Sequence, residues 1–423
     1  MFWVTVCAMY SIQGCACEAP MRTLIYPEWL IDGTGARAKE AYALAFEEGS
    51  IAAVGPANEI TPSQQDVVVH APGMSLLPGL INMHAHLSLA SDNAPFIAYM
   101  NAHSDVALGL RAAHNAAASL RAGVTAIRDC GSRGRSVLDL IGARSAGLLK
   151  IPRILAAGCA LTISGGHMRP FGGEVDGVDG CQQMVRRLVS AGADFIKMAG
   201  SGGGTPGSLT DYPSFSVSEI EATVETAHGL GRRVTVHCTA TAAIQRALAA
   251  RVDSLEHGYF GAPGNFQAFD QRLADGLAEA RISVTPTLQV FRDMAEVLPA
   301  GAERDFWQSR REVLVTNAAR LRQAGVRLTA GSDAGWRFTR FDNYWRELEE
   351  MHGCGMSPID VVHAATGAAA EAIGRQDEFG ALRAGLSADL LLVEGNAAES
   401  IRALQSVRSV YLEGHLVHQE GMS

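Results

Sequence analysis

Two histidines flank a single alanine in "LPGLINMHAHLSL", the run from Leu77 to Leu89. Side chains alternate between the faces of a strand, so His84 and His86 share one face and Ala85 takes the other. Adjacent imidazoles fill a core poorly, but a neutral ring nitrogen is a good ligand for a divalent cation. Four further residues have comparable settings: Lys197 in "ADFIKMAG", His237 in "RRVTVHC", His257 in "VDSLEHG" and Asp333 in "VRLTAGSD". Taken one at a time, a histidine at a strand end is usually a hydrogen-bonded core residue and a lysine a solvated one. Four histidines and an aspartate in equivalent places are hard to attribute to packing. Lys197 is the odd member, because an ammonium cannot ligate and repels a dication. Its apolar surroundings work against a charged side chain. A neutral lysine takes up carbon dioxide, and the resulting carbamate is an anion able to bridge two metals.

These residues need elements that bring them to one place. Between Gly79 and about Gly374, eight short apolar runs alternate with helix-length amphipathic stretches: "LINMHAH", "VTAIRD", "PRILAAG", "ADFIKMAG", "RRVTVHC", "VDSLEHG", "ISVTPTL" and "VRLTAGSD". That alternation predicts parallel strands covered by helices, and eight strands predict an α/β fold of the (β/α)8 TIM barrel type. Stretches such as "GCQQMVRRLVSAG", "VSEIEATVETAHGLG" and "VTNAARLRQAG" read as the helices, each closed by glycine. An open doubly wound sheet would require a Gly-x-Gly-x-x-Gly turn after the first strand, and that turn is absent. Both ends of the chain instead read as short strands punctuated by glycine and proline. The expected domains are therefore a small composite β-sandwich from residues 21–76 and 378–423 and a hydrolase barrel from residues 77–377. Barrel enzymes act at the carboxyl ends of their strands, which is where the six residues fall.

The motifs "PGLINMHAHL", "GADFIKMAGSGGG", "VTVHC", "DSLEHG" and "LTAGSDAG", with "GAAAEAIG" and "GALRAGLSADLLLVEGN", resemble the amidohydrolase superfamily from about Met21 to Val417. The resemblance is to its imidazolonepropionase-like and Xaa-Pro dipeptidase-like branch. It implies that His84, His86 and Asp333 bind a more buried metal, that His237 and His257 bind a more exposed one, and that a carboxylated Lys197 bridges them. Two divalent ions follow, zinc first, with cobalt or manganese as substitutes. Asn82 stands where the family often has an aspartate. Deaminases of the superfamily carry a glutamate three residues after the histidine matching His237, and here that residue is Ala240. Lys197 and Ala240 together favour dinuclear hydrolysis over deamination.

The mechanism so implied uses a metal-held water with a lowered pKa. Asp333 takes the water's proton and passes it to the leaving amine. His167 in "TISGGHMRP" is the candidate donor to the carbonyl oxygen, and Tyr212 and Tyr259 are candidate substrate contacts. Arg169, Arg337 and Arg340 are cations able to meet a substrate carboxylate. "SGGGTPGSLTDYPSFS" lacks the Gly-Lys-Ser/Thr ending of a phosphate loop and reads as a loop over the metal centre. The expected substrate is the amide of a small peptide or N-acyl amino acid, as for an Xaa-Pro dipeptidase. The alternatives are a carbamate, urea or aryl amide, including xenobiotics and mycotoxins, or a non-catalytic metal-binding protein.

The bulk properties agree with a globular enzyme. Of 423 residues, 48% are hydrophobic and 19% charged. A net charge of −9 without a basic run argues against nucleic acid as a partner. No uninterrupted apolar run is long enough for a membrane span. Cys130, Cys159, Cys181, Cys238 and Cys354 lie in apolar segments without a paired spacing, as expected of reduced thiols in the cytoplasm. Residues 1–20 hold Cys7, Cys15 and Cys17 and lack the basic start of a secretory signal. They read as a leader or disordered segment, with "IQGC" an imperfect lipidation motif. A homo-oligomer is expected from the resemblance, without a defined number of subunits.

Overall fold

The computed structural model describes residues 22–420, so the expected leader and its three cysteines lie outside the described residues. The strands are β1 (Thr23–Leu30), β2 (Lys39–Glu40), β3 (Tyr42–Glu47), β4 (Ser50–Pro56), β5 (Val67–Pro78), β6 (Leu80–Ala85), β7 (Val124–Asp129), β8 (Arg153–Ala156), β9 (Phe195–Ala199), β10 (Arg233–Ala240), β11 (Ser254–Gly261), β12 (Ser283–Thr285), β13 (Leu390–Glu394), β14 (Val407–Leu412) and β15 (His415–Gln419). Both ends of the chain contribute to one eight-stranded sheet, ordered β15-β14-β13-β5-β1-β3-β4 with β2 on β1. In that sheet β5 runs parallel to β1 and antiparallel to β13, with Leu76 opposite Leu392 and Leu77 opposite Leu391. Alternation divides these pairs between two cores. Leu76 and Leu392 join Ile25, Leu44 and Leu390 within the sheet's own cluster, whereas Leu77 and Leu391 enter the large core of the central segment.

The central strands are parallel, in two sheets ordered β6-β7-β8 and β12-β11-β10-β9. Asp194 N donates to Ala156 O (2.9 Å), and Leu161 bridges Met198, so β8 and β9 are neighbours. On the other side, the eighth predicted strand forms only isolated parallel bridges, Leu328 with Val284 and Ala334 with Ala85. Met83 N donates to Ala330 O (2.9 Å) and Asp333 N to His84 O (2.8 Å). The segment is not a regular strand because it leaves the extended region at Asp333, where φ is 56°. It also comes very close to its neighbours: a Cβ on Gly331 would lie 2.5 Å from Thr285 Cγ2 and 2.7 Å from His84 N. Only glycine permits that approach.

The predicted helices form for ordinary reasons. Gly177–Ala191 buries Cys181, Met184, Val185 and Leu188, which share one helical stripe, and ends at Gly192 in the left-handed region. Ser216 and Glu219 form a reciprocal capping box at the start of Val217–Gly229. After β12, two helices follow in succession, Gln289–Val297 and Ala302–Gln323, and the first is an addition to the predicted pattern. Among the described residues, no helix is long and apolar enough to cross a membrane.

Arg153 joins the terminal sheet to the central strands. From β8 it donates to Asp389 Oδ2 (3.0 Å) and Ser387 Oγ (2.8 Å), and it pairs with Glu413 Oε1 (2.7 Å). The Asp389 side chain is only 3% exposed, so losing its cation leaves a buried carboxylate poorly compensated. Arg153→Met should destabilise the protein by about 1–3 kcal/mol, seen as a lower urea midpoint, and adding Asp389→Asn should recover part of the loss. An unchanged midpoint in Arg153→Met would contradict this role.

Candidate metal centre

His84 and His86 do share one face, with their Nε2 atoms 3.4 Å apart. Asp333 Oδ1 is 3.4 Å from each. Three donor atoms with equal edges of that length form one face of a tetrahedron whose centre lies about 2.1 Å from each corner, a Zn–N or Zn–O distance. His257 joins His84 and Asp333 in a second group of close donors, and the His237 ring lies 4.5 Å from that of His257. All six expected residues thus line one pocket.

Each of the four histidines uses one ring nitrogen on a partner, and in His84, His86 and His257 the other belongs to the cluster of donors with Asp333. The bonded pairs are His84 Nδ1 with Glu256 Oε2 (2.7 Å), His86 Nδ1 with Gly131 O (3.0 Å) and His257 Nδ1 with Thr287 Oγ1 (2.7 Å). His237 is turned the other way, with Nε2 on Gly202 O (3.0 Å). Fixing one nitrogen as a donor fixes the tautomer and frees a lone pair on the other. Burial holds His84, His237 and His257 well below the usual histidine range and pushes His86 down to about 4. The rings are therefore neutral at pH 7 and competent as ligands.

Glu256 is the member that strand alternation hides. It precedes His257 on β11, so regular pleating would send one of the two side chains outward. His257 instead has φ 72° and Gly258 φ 62°, and both side chains face inward. The Glu256 carboxylate binds His84, accepts from Thr235 Oγ1 (2.5 Å) and pairs with Arg128. Burial works against its charge, but Arg128 and Lys197 outweigh burial and keep its pKa below the ordinary glutamate value. A charged residue inside an otherwise apolar strand run was the available signal.

Two groups here lack partners. Lys197 Nζ is fully buried, opposite Thr235 in the register of β9 and β10, and has no hydrogen bond; Asp333 Oδ1 has none either. Burial pushes the Asp333 carboxyl up to about 8. Unpaired buried polar groups cost several kcal/mol, and a bound cation would satisfy both the carboxylate and the free imidazole lone pairs. The donor set of neutral nitrogens and oxygen fits a divalent metal.

His167 also lines the pocket, with Nδ1 on Thr205 Oγ1 (2.9 Å). Close packing of its ring depends on Gly203, where a Cβ would lie 2.5 Å from Nε2. Tyr259 lines the pocket as well, and its hydroxyl shares Thr287 Oγ1 with His257 (2.8 Å). Tyr212 does not: it is 51% exposed, and Thr210 takes the lining position in that loop because the chain turns at Tyr212, whose N donates to Leu209 O. Arg169 is spent on Gly165 O and Pro206 O, and Arg340 on Asp342, both outside the lining. Arg337 does reach the pocket. Arg310 and the aromatic wall beside it, from the helices after β12, went unpredicted; "FWQSR" spaces Phe306 and Trp307 one helical turn before Arg310, which was the usable signal.

Residues 75–417 match the model of the amidohydrolase family. The chain belongs to that family. It is 27% identical to the ochratoxinase of Aspergillus niger over 92% of this chain and 84% of that one. It is 24% identical to the imidazolonepropionase of Symbiobacterium thermophilum over 90% of each. The crystal structure of a Xaa-Pro dipeptidase with bound methionine in the active site superposes with a TM-score of 0.83 at 25% identity, over 94% of this chain and 100% of that one. The amidohydrolase is thus a hydrolytic enzyme with a TIM-barrel-like α/β fold, in a family and with side chains suited to divalent metals.

The buried histidines give this amidohydrolase a pH signature once stripped of metal. Their folded pKa values lie below the unfolded value, so the unfolded chain binds more protons under pH 6.5 and stability falls as pH drops. The His86 contribution is lost between about 6.5 and about 4, by at most about 1.4 kcal/mol per pH unit. Buried carboxyls raised in the folded state, Asp333 and Glu347 to about 8 and Asp129 to about 7, act in the opposite direction over the same range, so the imidazoles must be followed one at a time. In chelator-treated protein the His86 ring should stay neutral from pH 7 to pH 5 by NMR titration and protonate only near about 4. A ring that titrates near 6.5 would show that it is not held neutral.

Proposed function

We propose that this amidohydrolase cleaves the amide C–N bond of a small peptide or N-acyl amino acid at a centre of two divalent metal ions, zinc in the first instance. One observation carries the reading: His84, His86, Lys197, His237, His257 and Asp333 converge in one buried pocket, with Lys197 Nζ and an Asp333 oxygen unpartnered. In this reading His84, His86 and Asp333 hold one ion and His237 and His257 the other. Lys197 would give up its ammonium proton, add carbon dioxide through the Nζ lone pair and release a second proton, leaving an anionic carbamate that could serve as a further ligand to both ions. Bound there, the metals supply an acidified water and polarise the carbonyl. Asp333 accepts the proton of the attacking water at the carboxylate oxygen it does not lend to the ion and delivers it to the departing amine nitrogen. His167 donates to the carbonyl oxygen as it gains charge, and Tyr259 contacts the substrate from beside His257. A relative named a Xaa-Pro dipeptidase, with an amino acid in its active site, supports the amide reading.

The architecture that supports these roles is, we infer, a closed eight-stranded barrel over residues 77–377. The main-chain bonds of Asp194 and of the segment from Leu328 to Ala334, which link the two parallel sheets at either side, support that reading. In the same reading the described residues of the two terminal segments, 22–76 and 378–420, make up the composite domain.

Metal analysis of protein purified without chelators should give about two ions per chain. Lys197→Ala should lower kcat/KM at least about 100-fold on whichever of the N-acyl amino acids or Xaa-Pro dipeptides is turned over. Full activity in Lys197→Ala with a single ion would remove the bridge. Turnover of ureas or carbamates alone in a parallel panel would replace the amide reading.

A further inference from the structure

The metal ligands occupy one end of the pocket, and the other end has a different character. An aromatic wall leads away from the centre: the Tyr259 ring is 5.1 Å from His257 and 5.2 Å from Phe291, Phe291 is 5.6 Å from Trp307, and Trp307 is 5.4 Å from Phe306. Arg310, one turn further along the same helix as Phe306 and Trp307, projects into this apolar region. Its Cζ lies 3.6 Å from the centroid of the Phe266 ring, and its Nη1 is buried without any hydrogen-bond partner. Desolvation lowers its pKa from the ordinary arginine value, with Tyr259 and Asp211 opposing that only through space. Asp211 is not among the pocket-lining residues, and Asp333 at the metal end is the one carboxylate that is. The pocket's other arginine, Arg337, already donates to Asn93 Oδ1 at 2.7 Å. A guanidinium nitrogen held dry and unpaired in a pocket is costly unless a ligand supplies an acceptor, and a carboxylate is the acceptor that fits its planar fork.

We propose that Arg310 anchors a free carboxylate of the substrate while the aromatic wall takes an apolar or aromatic side chain of the same molecule. The substrate class is then an N-acylated apolar or aromatic amino acid, or a dipeptide ending in one. This rests on the amide reading above and narrows it. A neutral carbamate or urea would leave Nη1 unpaired, and a cationic side chain on the aromatic wall would meet the Arg310 guanidinium.

The test compares N-acetylphenylalanine with N-acetylphenylalaninamide in the metal-loaded enzyme and in Arg310→Met, which retains much of the side-chain packing. The native enzyme should prefer the acid. Arg310→Met should reduce the acid-to-amide ratio of kcat/KM at least about tenfold, chiefly through KM for the acid. A ratio that Arg310→Met leaves in place overturns the proposal. Should Arg310→Met fold poorly, Arg310→Gln keeps hydrogen-bond donors without the charge and must show the same collapse. Calorimetric binding of 3-phenylpropionate and 3-phenylpropionamide makes the test independent of turnover. Tighter binding of the acid that depends on Arg310, in a protein that cleaves neither amide, would retain the anchor and discard the amide reading. Equal binding of acid and amide to the native protein would discard the anchor even if amides are cleaved.

Discussion

The ion pair of Arg128 and Glu256 underlies the candidate metal centre. Both side chains are buried, and a buried carboxylate survives in a protein interior only with a cation and further hydrogen bonds. Arg128 supplies the cation and itself donates to Met83 O (2.6 Å), so it is tied to the strand that carries His84. Glu256 then has an oxygen to spend on His84 Nδ1, and that bond decides which way the first ligand points. Arg128 from β7, Glu256 from β11 and His84 from β6 are thus cross-linked through polar contacts in a place where apolar packing alone would leave the imidazole free to turn. Whether such a pair adds net stability is secondary here, because its geometric effect on the ligand does not depend on that sign.

Backbone conformation does comparable work at the rim. His257, Thr287 and Asp333 all adopt positive φ, which costs a residue with a Cβ of order 1 kcal/mol or more. Thr287 in turn carries the hydroxyl shared by His257 and Tyr259. At these three positions the strain falls on candidate ligands or on the partner of one, as expected when the surrounding hydrogen bonds over-determine a local conformation that the chain would not choose alone.

Much of this was legible in the residues because it depended on periodicity. Alternation in "INMHAH" placed both imidazoles on one face, and the eight apolar runs located the strands that bear Lys197, His237 and His257. Glu256 was visible only as a charge within a strand run; its inward direction was not legible, because a left-handed backbone at His257 breaks the alternation. Tyr212 was assigned to the pocket from its loop's glycine content, but the turn at that residue directs it to the surface. Arg310 was overlooked in favour of Arg169, Arg337 and Arg340, which sit nearer in sequence to recognised motifs. One window, "FWQSR", shows Phe306 and Trp307 beside Arg310, but Phe266, Phe291 and Tyr259 come from separate segments and join them only in the fold.

The position of β5 bears on how the enzyme is made. This strand lies between β1 and β13 and passes through Gly79 directly into β6, the strand of His84. Its pairing with β13 joins residues more than 300 positions apart, Leu76 with Leu392. During synthesis the amino-terminal strands emerge first and must wait with one edge of β5 exposed until nearly the whole chain has been translated. The support beneath His84 and His86 is therefore among the last parts of the molecule to be completed. A chain that is still growing, or that stops before β13, would expose its histidines to metal ions in a cell before the sheet that positions them exists.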